Sequence, residues 1–111
     1  METIIVHIKP LSVNVAWQGK RFKTPAYKQY EHDVLLMLPA LKLPKAPYRL
    51  TLIFGFSNKA SDLDNPVKLI SDILQKKYSF NDKDIYQLIV NKEIVPKGKE
   101  YFTFKIEHLT K

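Results

Sequence analysis

The chain contains no cysteine, and this absence excludes several kinds of site. A disulfide framework, a thiol nucleophile and every zinc or iron–sulfur site that needs thiolate ligands are ruled out. Glycine is scarce as well, and the three glycines, Gly19, Gly55 and Gly98, stand far apart. They form neither a phosphate-binding loop nor a dinucleotide fingerprint, so we expect no nucleotide cofactor.

Long apolar runs are also missing. No stretch approaches the ~20 apolar residues of a transmembrane helix. The first ten residues, METIIVHIKP, lack the basic start and the cleavage site of a secretory signal. We therefore expect a cytoplasmic protein with no membrane partner. A hydrophobic fraction of 45% excludes a disordered basic tail, and 111 residues predict one domain spanning 1–111.

Acidic residues are few and unevenly placed. Eighteen Lys and Arg stand against eleven Asp and Glu, a formal net charge of +7 that favours a polyanionic partner such as nucleic acid. Residues 3–30 and 34–61 contain no acid at all. Five of the eleven acids then follow close together, at Asp62, Asp64, Asp72, Asp82 and Asp84.

Hydrophobic periodicity and turn signals predict an α+β fold in the order β-α-β-α-β-β, with two helices packed on one mixed sheet. Strands are expected at 3–8, 48–56, 85–91 and 101–106. Thr24 and Pro25 are typical of a helix start and Pro39 of a helix end, and the second helix should run from about 64 to 77. A polar loop is expected from 12 to 23, and a hairpin turn at 96–98.

The aspartates have the spacing of a metal-dependent site. In an extended segment Asp62 and Asp64 would point the same way, and Lys68 lies one helical turn after Asp64. Asp82 follows that helix in a turn that could bring it back towards the pair. Converging carboxylates suit Mg²⁺ or Mn²⁺, which can promote phosphodiester hydrolysis, with Lys68 stabilising charge on the phosphate. Alternatively, the same residues are a helix cap, an i,i+4 ion pair and a turn residue.

A second feature is a basic and aromatic loop from Trp17 to Lys28. Its cations could contact phosphates, and its aromatic rings could stack on bases. Tyr27 and Tyr30 fall on the apolar stripe of the first helix, so we expect these two in the core. The residues predicted to contact DNA are Lys20, Arg21, Lys23 and Lys28.

Most of the chain resembles the RusA-like Holliday junction resolvases, small endodeoxyribonucleases of bacteria and prophages. The opening residues Ser12-Val13-Asn14, Gly19-Lys20-Arg21 and Thr24-Pro25 are similar to the family's opening pattern. The central Asp62-Leu63-Asp64-Asn65, followed by Lys68 and Asp72-Ile73-Leu74, resembles its signature at the same spacing, and Asn81-Asp82 resembles the acidic turn after it. Family members often have two acids in that turn and arginines just before the first Asp, where this chain has Asn81 and Asn58-Lys59-Ala60-Ser61.

The resemblance implies a homodimer that binds four-way junction DNA and cuts two strands symmetrically with Mg²⁺ or Mn²⁺. It carries the catalytic and metal-binding roles over to Asp62, Asp64 and Asp82, and the catalytic lysine to Lys68. Lys59, which precedes the first Asp, joins the predicted DNA contacts. Two alternatives remain: a non-catalytic nucleic-acid-binding module, and a nuclease that acts on other branched DNA.

Overall fold

A computed structural model describes residues 2–11, 17–18, 22–63 and 66–110 of the chain. These residues form one mixed four-stranded sheet, a small separate two-stranded ribbon and two helices. In chain order the elements are β1 (Ile4–Val6), β2 (Trp17–Gln18), β3 (Phe22–Lys23), α1 (Pro25–Met37), β4 (Tyr48–Phe56), α2 (Val67–Tyr78), a 3₁₀ turn (Asp82–Asp84), β5 (Ile85–Ile94) and β6 (Tyr101–His108). The predicted α+β class is confirmed.

Local chemistry explains both ends of α1 and the end of α2. The Thr24 hydroxyl accepts a hydrogen bond from the Tyr27 amide at 3.2 Å, which satisfies one of the free donors at the start of α1, and Pro25 opens the first turn. Pro39 follows closely after the end of α1. Helix α2 ends at Ser79, which has a left-handed conformation and whose amide donates to the Gln75 carbonyl at 2.9 Å.

Strand β4 is the centre of the sheet, in the order β1-β6-β4-β5. It pairs parallel to β5 on one side and antiparallel to β6 on the other. Its alternate side chains, Leu50, Leu52, Phe54 and Phe56, all lie on one buried face. They pack with Phe102, Phe104 and Ile106 of β6 and with the apolar sides of both helices, so the core lies between the sheet and the helix layer.

Two expectations about the connections were wrong. The segment from 12 to 23 is not only a loop, because Trp17–Gln18 and Phe22–Lys23 pair as a short antiparallel ribbon. The turn at 96–98 is present, with the Lys99 amide donating to the Pro96 carbonyl at 2.9 Å, but it does not close a hairpin. Strands β5 and β6 lie on opposite sides of β4, so the chain must cross the end of β4 between them.

That crossing places three chain segments close together at one end of the sheet. The Val95 amide donates to the Phe56 carbonyl at 2.8 Å, which marks where the chain leaving β5 passes the end of β4.

Among the residues that the structure describes, no helix has the length and apolar character needed to cross a membrane.

Candidate active site

A groove of about 480 Å³ lies between α2 and the edge strand β5. Its polar wall comes from the first two turns of α2 and from the 3₁₀ turn, and its apolar wall comes largely from β5. The residues that line it are Leu63, Val67, Lys68, Ser71, Asp72, Asp82, Leu88 and Val90. Three of the charged residues singled out from the sequence thus meet in one groove.

Lys68 and Asp72 lie one turn apart on α2 and form an ion pair of 3.5 Å, as their i,i+4 spacing predicts. The Lys68 side chain keeps 69% of its surface exposed, so its ammonium remains accessible to a charged ligand in the groove. Asp72 also lies close to α1. Burial, followed by the negative charges of Asp72 and Glu31, raises the pKa of Tyr27 to about 12, so this phenol stays neutral at physiological pH.

Asp82 is placed by the turn that follows α2. The Asn81 side chain accepts a hydrogen bond from the Lys83 amide at 3.1 Å, which caps the 3₁₀ turn. The Asp82 amide donates to the Gln75 side chain at 3.0 Å, which ties the turn back to α2. These contacts hold the Asp82 backbone, while its exposed carboxylate lines the groove.

Asp62 lines a different pocket. This second pocket has a volume of about 320 Å³, and the residues that line it include Pro66, Lys9, Phe56, Ser57 and Glu100. Asp62 lies near the end of a loop that leaves β4. Local turns hold this loop: the Ala60 amide donates to the Asn58 side chain at 2.9 Å, and the Ser61 amide to the Asn58 carbonyl at 3.1 Å. The loop of residues 57–63, which we call the Asp62 loop, therefore has a defined path.

The remaining predicted ligand, Asp64, lies outside the described residues, as does Asn65. Asp64 stands in the chain between Asp62 in one pocket and Lys68 in the other. Within the described residues no three His, Asp or Glu side chains lie close enough together to hold a metal ion. The described side chains of the groove that could bind a metal ion are carboxylates and the Ser71 hydroxyl. Mg²⁺ and Mn²⁺ prefer hard oxygen ligands of this kind, so the chemistry of these side chains fits such an ion.

The predicted DNA contacts fall into three groups. Lys20 and Arg21 lie outside the described residues. The Lys23 ammonium donates to Glu31 at 3.0 Å and lies 5.1 Å from the centre of the Tyr27 ring, so it already has protein partners. Lys28 and Lys59 are exposed, and neither ammonium forms an ion pair with any residue in the described ranges. Tyr27 and Tyr30 are buried core residues, as expected.

Sequence reasoning missed two residues that hold the Asp62 loop. The Lys92 ammonium donates to the carbonyls of Lys59 and Ser61 at 2.9 and 2.7 Å. Glu100 accepts from the Ser57 hydroxyl at 2.7 Å and from the Gly98 amide at 2.8 Å. The Ser57 hydrogen bond is the main reason that the pKa of Glu100 is lowered. No local pattern signals either role, because both depend on where the chain crosses β4.

No model of a known protein family matches the chain, and no curated protein matches it.

Proposed function

We propose that this protein is a metal-dependent endodeoxyribonuclease that cuts four-way DNA junctions. The observation that carries the proposal is the meeting of Lys68, Asp72 and Asp82 in one groove, whose lining also includes Leu63, the neighbour of Asp62 in the sequence. A net charge of +7 gives the protein a general attraction to phosphates, and the groove places two carboxylates beside a lysine within this basic protein. The resemblance to the RusA-like resolvases supports this choice of reaction and substrate.

In this proposal Asp82 of the groove, together with Asp62 and Asp64 from the segment before α2, would hold Mg²⁺ or Mn²⁺ through carboxylate oxygens. Such an ion would supply Lewis-acid chemistry at the scissile phosphate and would make water a better nucleophile. Lys68 contributes a positive charge where negative charge builds up on the phosphate, and its pairing with Asp72 restricts the directions in which its ammonium can point. Lys20, Arg21, Lys23, Lys28 and Lys59 bind the DNA backbone and position it.

Two variants test the reaction. We expect Asp64→Asn and Asp82→Asn to bind a synthetic four-way junction as tightly as wild type, because each removes one negative charge without removing a cation. Their cleavage with Mg²⁺ should fall by about 100-fold or more, since even groups that merely support metal ligands are typically worth about 10–100-fold. Denaturing gels with and without EDTA measure cleavage, and gel shifts in EDTA measure binding.

Asp33→Asn is the matched control, since Asp33 is an acid of α1 that lies outside both pockets. It should cut at the wild-type rate. Wild-type cleavage by Asp82→Asn would contradict the metal role of Asp82. Comparing four-way, three-way and flap substrates distinguishes a junction resolvase from a nuclease that prefers other branched DNA.

A non-catalytic nucleic-acid-binding module is the second candidate, and one observation favours it. Lys68 and Asp72 satisfy each other as an ordinary surface ion pair, and the described residues do not gather three carboxylates. Such a protein would bind the junction and leave it intact with Mg²⁺ or Mn²⁺ at any concentration. Paired nicks that EDTA abolishes would exclude it.

A homodimer completes the proposal, because a two-fold junction offers two equivalent strands to two equivalent sites. The edge of the sheet supports this part. Strand β5 is ten residues long, and along its outer side no strand pairs with it in the described part of the chain. Leu88 and Ile94 on this strand are 49% and 45% exposed. A long edge strand with exposed apolar side chains is prone to uncontrolled association unless something covers it, and a second copy of β5 would do so.

A further inference from the structure

Lys92 reaches away from its own strand to the loop that leads to the aspartates. Its ammonium donates two hydrogen bonds to backbone carbonyls, at 2.9 Å to Lys59 and 2.7 Å to Ser61. It also lies 5.9 Å from the centre of the Phe56 ring. A charged donor makes stronger hydrogen bonds to carbonyls than a neutral one does, so these contacts restrain the loop just before Asp62.

The sheet register explains why Lys92 is the residue that can do this. Lys92 pairs with Phe54 in the parallel β4–β5 ladder, and Phe54 lies on the buried face of β4. Residues in register on neighbouring strands point to the same face, so Lys92 is on the face that the helices cover. Leu88 and Val90, on the same face, line the groove. At the end of the ladder the Asp62 loop folds back over this face and meets the ammonium.

The opposite side of the Asp62 loop is fixed separately. Ser57, the first residue of the loop, donates to Glu100 at 2.7 Å, and the Gly98 amide donates to the other carboxylate oxygen at 2.8 Å. Glu100 immediately precedes β6, whereas Lys92 is on β5. The Asp62 loop is thus held between the two ends of the chain segment that crosses β4.

We propose that Lys92 is a positioning residue, which holds the Asp62 loop and thereby fixes the position of the Asp62 carboxylate, one of the proposed metal ligands. The role rests on the proposed metal-dependent function, but it concerns this chain's own backbone. Lys92 touches neither substrate nor metal in this scheme. Loss of the Lys92 ammonium should therefore loosen the loop and weaken metal binding. The affinity for DNA should change only by the small amount expected from the loss of one surface charge.

Lys92→Met is the informative variant, because methionine keeps a long apolar side chain against Phe56 and removes the donor. Hydrogen exchange on the metal-free protein is the first readout. The Ala60 and Ser61 amides are hydrogen-bonded within the loop, so they report its order. We expect both to exchange at least about fivefold faster in Lys92→Met, with exchange of the buried β4 amides unchanged. Lys92→Arg, which keeps a charged donor, should recover most of the protection.

Metal affinity is the second readout, measured from the signal of free Mn²⁺ by electron paramagnetic resonance in the absence of DNA. We expect Lys92→Met to weaken Mn²⁺ binding by about tenfold, the lower end of what supporting residues contribute. Lys97→Met removes the same charge from the β5–β6 connection, where Lys97 has no hydrogen bond to a described residue through its side chain, and should leave affinity unchanged.

The outcomes separate this role from the proposed reaction. Wild-type exchange at residues 60 and 61 in Lys92→Met, or an equal loss of Mn²⁺ affinity in Lys97→Met, would overturn the positioning role. Wild-type protein that binds Mn²⁺ but leaves every junction intact would contradict the nuclease and leave the role of Lys92 standing. Faster loop exchange together with weaker Mn²⁺ binding, both recovered in Lys92→Arg, would support the role.

Discussion

Gly55 shows how tightly the end of the central strand is packed. It pairs with Tyr101 across the β4–β6 ladder, and the Tyr101 ring covers it. A Cβ atom at position 55 would collide with that ring, within 2.6 Å of Cδ1. Tyr101 is the first residue of β6 and follows Glu100 directly. The contact between Gly55 and Tyr101 therefore also helps to position Glu100, which holds the Asp62 loop.

We therefore expect Gly55→Ala to lower the free energy of unfolding by about 1–3 kcal/mol, the usual effect of forcing an extra atom into a packed site. Urea unfolding measures it. In a Tyr101→Ala background the penalty should largely vanish, because the ring is gone. Gly98→Ala provides the contrast: Gly98 has φ +90 and open space around it, so its penalty comes from the backbone and should persist in that background. An undiminished Gly55 penalty would contradict the steric account.

Individual residues differed in how far their roles could be predicted. Lys68 and Asp72 follow from helical spacing alone, since i,i+4 side chains on one helix must be neighbours. Asp82 required only the assumption that the chain turns back after α2. Lys92 could not be found this way, because a lysine in an amphipathic strand has the pattern of a surface residue. Its role appears only when a loop distant in sequence folds over the end of the strand.

At the scale of elements, local signals sufficed where the deciding contacts are local. Helix α1 begins at Pro25 because of the Thr24 cap and ends before Pro39, and the alternating pattern predicts β4 with its observed bounds. The turn at 96–98 was also predicted, but not what it connects. Strand β5 pairs with β4, which lies about 40 residues earlier in the chain. The turn residues at 96–98 contain no information about that pairing.

One partly buried carboxylate joins three elements. Glu31 of α1 accepts hydrogen bonds from Lys23 of β3 at 3.0 Å and from Lys76 of α2 at 3.3 Å. Burial alone would raise the pKa of Glu31, but the two lysines outweigh it, and the net shift is below the usual 4.5. A carboxyl group whose pKa is lowered by folding stabilises the protein above its usual pKa, and this contribution is lost as the pH falls through the folded value.

Glu31→Gln should therefore be less stable than wild type by about 1 kcal/mol at pH 7, a value discounted for solvent screening of the ion pairs. The gap should close as the pH is lowered below 4.5, where wild-type Glu31 itself becomes protonated. Urea unfolding at a series of pH values measures both. Glu2→Gln is the control, because Glu2 is exposed and its substitution removes the same charge. A gap that is independent of pH would mean that the amide disturbs packing instead.

At the scale of the whole molecule, the edge of β5 that no described strand pairs with would determine how two copies of the proposed dimer meet. Two β5 strands related by a two-fold axis would continue the sheet from one protomer into the other and cover Leu88 and Ile94. The groove lies next to this edge, since Leu88 and Val90 line it. Dimerisation through β5 would therefore bring the two proposed active sites close to the two-fold axis, as cutting two strands near one branch point requires.

We expect sedimentation velocity to give a mass of about twice 13.0 kDa. Ile94→Lys should shift the protein towards monomer, because it places a charge on the edge that the second copy covers. Leu36→Lys introduces the same charge at an apolar position of α1 that is 73% exposed, and should leave the dimer intact. On a junction, the Ile94→Lys monomer should make single nicks instead of symmetric pairs, since each active site cuts one strand. If Ile94→Lys leaves the dimer intact and Leu36→Lys dissociates it, the interface lies on the helix layer. The two active sites would then lie away from the two-fold axis.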